Sequence, residues 1–399
     1  MRTDPLAFLS TELDALKQQG LYRRLRVLEG KPESHTTYDH TSVVNLSSNN
    51  YLGLTTHPKL VKAAVDAVQA FGVGSGAVRT ISGTMEMHME LERRLARFKH
   101  VESVVVFQSG FAANAGTVAA VLTKDDVIIS DELNHASIID GCRLSKAPIK
   151  VFPHKDVAAA RAIMEGLPKA QKKILITDGV FSMDGDLGSI PALCDLAEEF
   201  NAIMMVDDAH ASGVFGTNGS GTVDHFGCHG RVDIQVGTLS KAIGVLGGYV
   251  AGSKSLIEFL YHRARPFLFS TSHPPAVTAA CLAALDVLET EPQWIEQLWD
   301  NTRFFKAGLE RLGFNTGLSE SPITPVIVGE AATAAKMSDA LFAKGVFAQS
   351  IGFPTVARDK ARLRTIVSAT HTKEDLQYAL DMFATVGREL DRKSTRLNS

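Results

Sequence analysis

Five short segments place reactive side chains where an apolar run ends, and each permits a definite chemistry. In AIMMVDDAH (202–210), apolar residues carry Asp207 and Asp208 to the end of a buried strand, with His210 just beyond. Such acids could bind a metal with His210, hold a protonated heteroaromatic nitrogen, or end the strand in a salt bridge. In VGTLSKA (236–242), a strand delivers Thr238, Ser240 and Lys241. An amine stripped of water loses its charge easily and becomes a nucleophile able to form a Schiff base. The hydroxyls can hydrogen-bond a phosphate; an ordinary turn lysine is the plain alternative. FQSGFAAN (107–114) turns at Ser109-Gly110 and starts a helix near Phe111, offering open N–H groups to an anion. SDELNHAS (130–137) sets His135 after a strand beside Asn134 and Ser137, to stack on a planar ring, move a proton, or cap a helix. DGVFSMDGD (178–186) is a Gly- and Asp-rich loop whose candidate hydroxyl is Ser182.

One cofactor uses all of these parts. Pyridoxal phosphate needs a lysine for its aldehyde and a carboxylate to keep its ring nitrogen protonated as an electron sink. Its phosphate needs a helix start and hydroxyls.

The intervening elements must bring these parts to one edge. Runs such as SVVVF (103–107), DVIIS (126–130), KILIT (173–177), AIMMV (202–206), VDIQV (232–236) and GGYVAG (247–252) read as strands. Helical stretches at 111–122, 136–144 and 191–200 alternate with them. Fully apolar strands between helices predict an α/β fold with a parallel sheet buried on both faces and its site beyond the carboxyl ends. After about residue 290 the rhythm changes to helix 292–312, strand 324–329, helix 331–344, strand 362–368 and helix 373–390, a smaller α+β unit. The start reads as an amphipathic helix, with Asp4 as N-cap, Leu6, Leu9, Leu13 and Leu16 in a stripe, and Gly20 as its end.

Composition narrows the classes. The 399 residues are 45% hydrophobic and 21% charged, a globular profile. Lys and Arg number 41 against 44 Asp and Glu, and a net charge of −3 does not suit nucleic acid. No apolar run is long enough to span a membrane. The four cysteines, Cys142, Cys194, Cys228 and Cys281, form no CxxC pair. The expected compartment is the cytoplasm. Gly72 to Ala77 approaches a nicotinamide fingerprint but follows a helix, and no GxSxG is present. A metal hydrolase built on Asp207, Asp208 and His210 with His225, Cys228 or His229 leaves Lys241 idle, so no metal is expected.

The same segments carry a resemblance. SSNNYLGL (47–54), GSGAVRTISGT (74–84), DELNHASIIDG (131–141), DGVFSMDGD, VDDAH, GTLSKA, RPFLFSTS (265–272) and ARLRTIVSATHT (361–372) resemble the α-oxoamine synthases, pyridoxal phosphate enzymes of aminotransferase fold-type I. The likeness runs from about residue 5 to 390. It implies an N-terminal helix and arm (1–45) and a large cofactor domain with a mostly parallel seven-stranded sheet (46–288). A small α+β domain (289–390) and a disordered or non-native tail (391–399) would follow. It implies that Lys241 carries the cofactor and moves the Cα proton, that Asp207 pairs with the ring nitrogen, and that His210 meets the ring hydroxyl. His135 would stack on the ring, with Gly110, Phe111, Ser182 and Thr238 around the cofactor. Ser270 and Thr271 would reach the phosphate from the second subunit of a homodimer. Arg364, Asn49, Thr355 and Arg23 would bind substrate, a guanidinium fork suiting a carboxylate. The implied reaction condenses an amino acid with an acyl-CoA and releases CoA. SGAVRTISGT, HPPAVTAA (273–280) and GVFAQSIGFPTVA (345–357) sit nearest the glycine C-acetyltransferase side of the family, favouring glycine and acetyl-CoA. The alternative is 8-amino-7-oxononanoate formation from alanine and pimeloyl-CoA, or a promiscuous synthase.

Overall fold

The computed structural model describes residues 4–18, 22 and 24–397, with side chains as far as Leu390. Its centre is a seven-stranded sheet. In spatial order the strands are Ser103–Phe107, Gly248–Gly252, Ile234–Thr238, Ile203–Asp207, Lys173–Asp178, Val127–Asp131 and Ile149–Phe152. Gly248–Gly252 runs antiparallel to both neighbours, and the remaining pairs are parallel. Every residue of Val127–Asp131, Lys173–Asp178, Ile234–Thr238 and Gly248–Gly252 is buried, because helices cover both faces. The edge strand Ile149–Phe152 was not expected; three of its four residues are exposed, so it lacks the apolar run that marks the others.

Local signals set the helices that matter. Ser109 Oγ accepts from the Ala112 N–H at 3.1 Å and caps helix Gly110–Val121. Gly248 allows this turn to sit close: a Cβ there would lie 2.3 Å from the Ser109 carbonyl oxygen. His135 Nδ1 accepts from the Ser137 N–H at 3.2 Å and caps helix Ala136–Ser145.

A second sheet orders Ile323–Gly329, Ala361–Ile366 and Gln349–Ile351 antiparallel. A third joins the hairpin His35–Tyr38 and Thr41–Asn45 to Val346–Phe347. The arm is thus stitched into the last quarter of the chain. A two-stranded hairpin cannot bury its own face, and here Tyr38 packs edge-on against Phe347 with ring centroids 5.0 Å apart. The expected boundary at 288/289 falls inside a continuous helix, Pro275–Thr290.

Two terminal expectations change. Helix Lys373–Leu397 runs through residues 391–397, within the stretch expected to be a disordered or non-native tail. The stretch DRKSTRL contains neither Pro nor Gly to break the helix. At the start, Asp4 Oδ1 accepts from the Leu6 N–H at 2.9 Å, but the regular helix is Phe8–Gln18 and buries none of its residues. Gly20, its expected end, lies outside the described residues. No helix among the described residues is long and apolar enough to cross a membrane.

Candidate active site

Three parallel strands end side by side in polar residues. Asp178 pairs in register with Asp207, and Asp207 with Val236, two residues before Thr238. Above these ends lies a cavity of about 230 Å³. Helix Gly110–Val121 gives it Gly110, Phe111 and Asn114; the neighbouring loops give His135, His210, Ser240 and Lys241. Seven residues expected from widely separated segments therefore meet here: Gly110, Phe111, His135, Asp207, His210, Thr238 and Lys241. A larger groove of about 520 Å³ lies elsewhere, along Glu90, Arg94 and His100, and contains none of them.

The two adjacent acids part company, as the pleat of a strand requires. Asp207 enters the cavity, where its Oδ2 accepts from Asn114 Nδ2 at 2.6 Å and its Oδ1 from the Ala209 N–H at 2.8 Å. Asp208 points the other way and pairs with Lys99 at 2.9 Å, both side chains being fully buried. This arrangement removes Asp208 from any shared metal site with Asp207 and His210.

The electrostatics favour a reactive amine. Burial pulls the Lys241 ammonium down to about 8, against the opposing pull of Asp207, and Arg364 adds to the depression. Burial, then neighbouring Asp207, pushes the Asp178 carboxyl well above the usual carboxylate range. Burial, then Lys241 and Arg364, holds His210 neutral well below the usual histidine range. Tyr51 is kept protonated by burial and lies 2.7 Å from His210 Nδ1. The Tyr51 hydroxyl and His210 Nδ1 share a hydrogen bond, which holds the plane of the imidazole.

Arg364 stands in the middle strand of the second sheet. Its Nε donates to the Ser182 carbonyl at 2.5 Å, and its Nη atoms donate to Asn49 Oδ1 at 3.3 and 3.4 Å. Arg362 pairs with Asp184 at 2.6 Å, whereas Arg364 has no carboxylate partner among the described residues.

Other expected residues lie apart. Ser182 gives Arg364 its carbonyl and does not line the cavity. Thr355 is exposed, with its N–H on the Gly352 carbonyl at 3.0 Å. Ser270 and Thr271 also lie outside the cavity, where the Thr271 carbonyl accepts from Gln108 Nε2 at 2.7 Å. Arg23 lies outside the described residues. Sequence reasoning missed Asp178, Asn114 and Tyr51. Asp178 ends an apolar strand just as Asp207 does, so its signal was present. Asn114 sits one turn into the helix that Ser109 caps. Tyr51 reaches His210 across 159 positions and has no local signature.

Residues 41–383 match the family described as aminotransferase class I and II. The chain is 59% identical over 384 residues to the 8-amino-7-oxononanoate synthase of Symbiobacterium thermophilum, covering 96% of this chain and 98% of that protein. It is 54% identical over 388 residues to 8-amino-7-oxononanoate synthase 1 of Bacillus subtilis, covering 97% and 99%. A solved serine palmitoyltransferase from S. paucimobilis, with PLP bound, superposes with a TM-score of 0.92 at 31% identity, covering 98% of this chain and all of that one. The 8-amino-7-oxononanoate synthase of Francisella tularensis gives 0.75 at 27% identity, covering 88% and 99%. These names favour the alternative over the expected glycine and acetyl-CoA pair. The segments read toward glycine C-acetyltransferase contribute no residue to the cofactor cavity, and the last of them seats the arm through Val346–Phe347.

Proposed function

We infer the reaction from the family: the chain belongs to the aminotransferase class I and II family and, within it, to the α-oxoamine synthases. Its cofactor is pyridoxal 5′-phosphate, and the residues fit that group. The cavity combines a lysine of lowered pKa, a fixed carboxylate, the open N–H groups of Gly110 and Phe111, and a buried Asp178 Oδ1 with no hydrogen-bond partner among the described residues. When bound, the cofactor supplies a protonated ring that draws electrons from the amino-acid Cα.

The proposed reaction is decarboxylative condensation of L-alanine with pimeloyl-CoA. The alanine Cα bonds to the acyl carbon, the thioester C–S bond breaks, CoA leaves as its thiol, and the alanine carboxyl group departs as CO2. The product is 8-amino-7-oxononanoate. The observation that supports a condensing site is Lys241 facing Asp207 within one cavity. The observation that supports these substrates is the 59% identity over nearly the whole chain.

Each side chain then has a task. Lys241 holds the cofactor and takes the Cα proton. Asp207 keeps the ring nitrogen protonated, and Asn114 and the Ala209 N–H keep that carboxylate aimed. His210, held by Tyr51, meets the ring hydroxyl, and His135 covers one face of the site. The start of helix Gly110–Val121 and Thr238 hold the phosphate. Arg364, oriented by Asn49 and the Ser182 carbonyl, binds the alanine carboxylate until it is lost. Two chains would share the site, with Ser270 and Thr271 reaching across; Phe269 beside them is 71% exposed, which suits a covered face.

The test is CoA release by the cofactor-loaded protein from alanine, glycine or serine, each with pimeloyl-, acetyl- or palmitoyl-CoA. We expect a maximum at alanine with pimeloyl-CoA. A maximum at glycine with acetyl-CoA would restore the glycine C-acetyltransferase reading, and a plateau would make the enzyme promiscuous. No release anywhere would overturn acyl transfer altogether. Arg364→Ala should raise the KM for alanine about 10–100-fold, the scale of a lost charged hydrogen bond, and leave that for acyl-CoA unchanged. Arg364→Lys should recover only part, because an ammonium lacks the planar fork. An unchanged alanine dependence would remove this role.

A further inference from the structure

On a face distinct from the catalytic cavity, three side chains remote in sequence converge. His100 follows the helix Glu86–Phe98, while Asp224 and His229 belong to the segment that begins with the short helix Thr222–His225. Asp224 Oδ1 lies 2.8 Å from His229 Nε2 and 3.9 Å from His100 Nε2. The three donor atoms all fall within 4.8 Å of one another. The other carboxylate oxygen is already engaged, accepting from the Thr217 N–H at 2.5 Å, so Oδ1 is aimed between the two rings.

We propose that His100, Asp224 and His229 form a surface site for one divalent transition-metal ion of the zinc class. A tetrahedral ion with bonds of about 2.05 Å sets its donors roughly 3.3 Å apart, and the two separations above bracket that value. Two imidazoles and one carboxylate suit Zn2+, Co2+, Ni2+ or Cu2+ over Ca2+ or Mg2+, which prefer all-oxygen shells. The imidazoles are 54% and 35% exposed, so water completes the shell. The site differs from the metal hydrolase considered from the sequence: it uses Asp224 and His229 with a distant His100, and none of Asp207, Asp208, His210, His225 or Cys228.

An ion here would brace the back of the catalytic wall without entering it. His100 adjoins Lys99, whose ammonium reaches both Asp208 and the Ser220 carbonyl, and Asp208 adjoins Asp207. Metal would therefore tie the end of helix Glu86–Phe98 to the segment that carries Asp224.

The test uses untagged, cofactor-loaded protein, dialysed against chelator and then titrated with ZnCl2 by calorimetry and CoCl2 by visible absorption. We expect one ion per chain and the d–d bands of low-coordinate Co2+. His100→Ala and His229→Ala should each weaken binding beyond the roughly 10–100-fold typical of losing an outer-shell partner. His262→Ala, which removes an exposed histidine elsewhere, should not. His229→Ala should release CoA at the parent rate in metal-free buffer. Two separate ligand variants guard against one that misfolds. Absence of stoichiometric binding, or binding that survives both ligand variants, would overturn the site.

Discussion

Replacing Lys241 with Ala should lower CoA release by at least about 10⁴-fold, because one side chain both holds the cofactor and moves the proton. Borohydride should no longer fix cofactor to the variant chain. Burial pulls the parent amine down to about 8. An amine attacks only when uncharged, so capture of pyridoxal phosphate by the stripped parent should quicken as pH rises toward 8 and level off above it. The reverse slope, or a variant with near-parent turnover, would sink the assignment of Lys241.

Asp207→Asn should cut kcat about 10²–10³-fold with little change in KM, the scale of removing one preorganised electrostatic partner. The substitution keeps the shape of the side chain but sets an amide against Asn114 Nδ2 and the ring nitrogen. Its neighbour supplies the contrast. Asp208→Asn leaves Lys99 buried without its counter-ion, which costs about 3–5 kcal/mol of stability. Urea denaturation and steady-state kinetics on both variants separate the two roles. Equal effects of the two substitutions on kcat would show that the acids are not divided between catalysis and structure.

How much of this could be read from the chain follows from the range of each signal. The strands ending at Asp207 and Thr238 are apolar runs of a few residues, so their period alone marks them. The start of helix Gly110–Val121 is marked by Ser109, which caps it through a contact three residues away. Family motifs added roles for these positions, because the cofactor demands the same groups at the same strand ends. The edge strand Ile149–Phe152 stayed hidden, since its exposed residues carry no burial pattern.

Other features depended on contacts between distant segments. Hydrophobic period alone does not tell Asp207 from Asp208 in VDDAH, and only the family resemblance pointed to Asp207; covering both faces of the sheet assigns one to Asn114 and the other to Lys99. The ring of His210 is held by Tyr51, the aim of Arg364 is set by Ser182 and Asn49, and the seat of the arm by Val346–Phe347. The pairing of His100 with Asp224 is of the same kind. The chain by itself determined which groups are present and which strand ends carry them, because hydrophobic period and capping act over a few residues. Only the tertiary structure decided where those groups point and what they meet, because burial and hydrogen-bond partners come from segments that touch only after the sheet has closed.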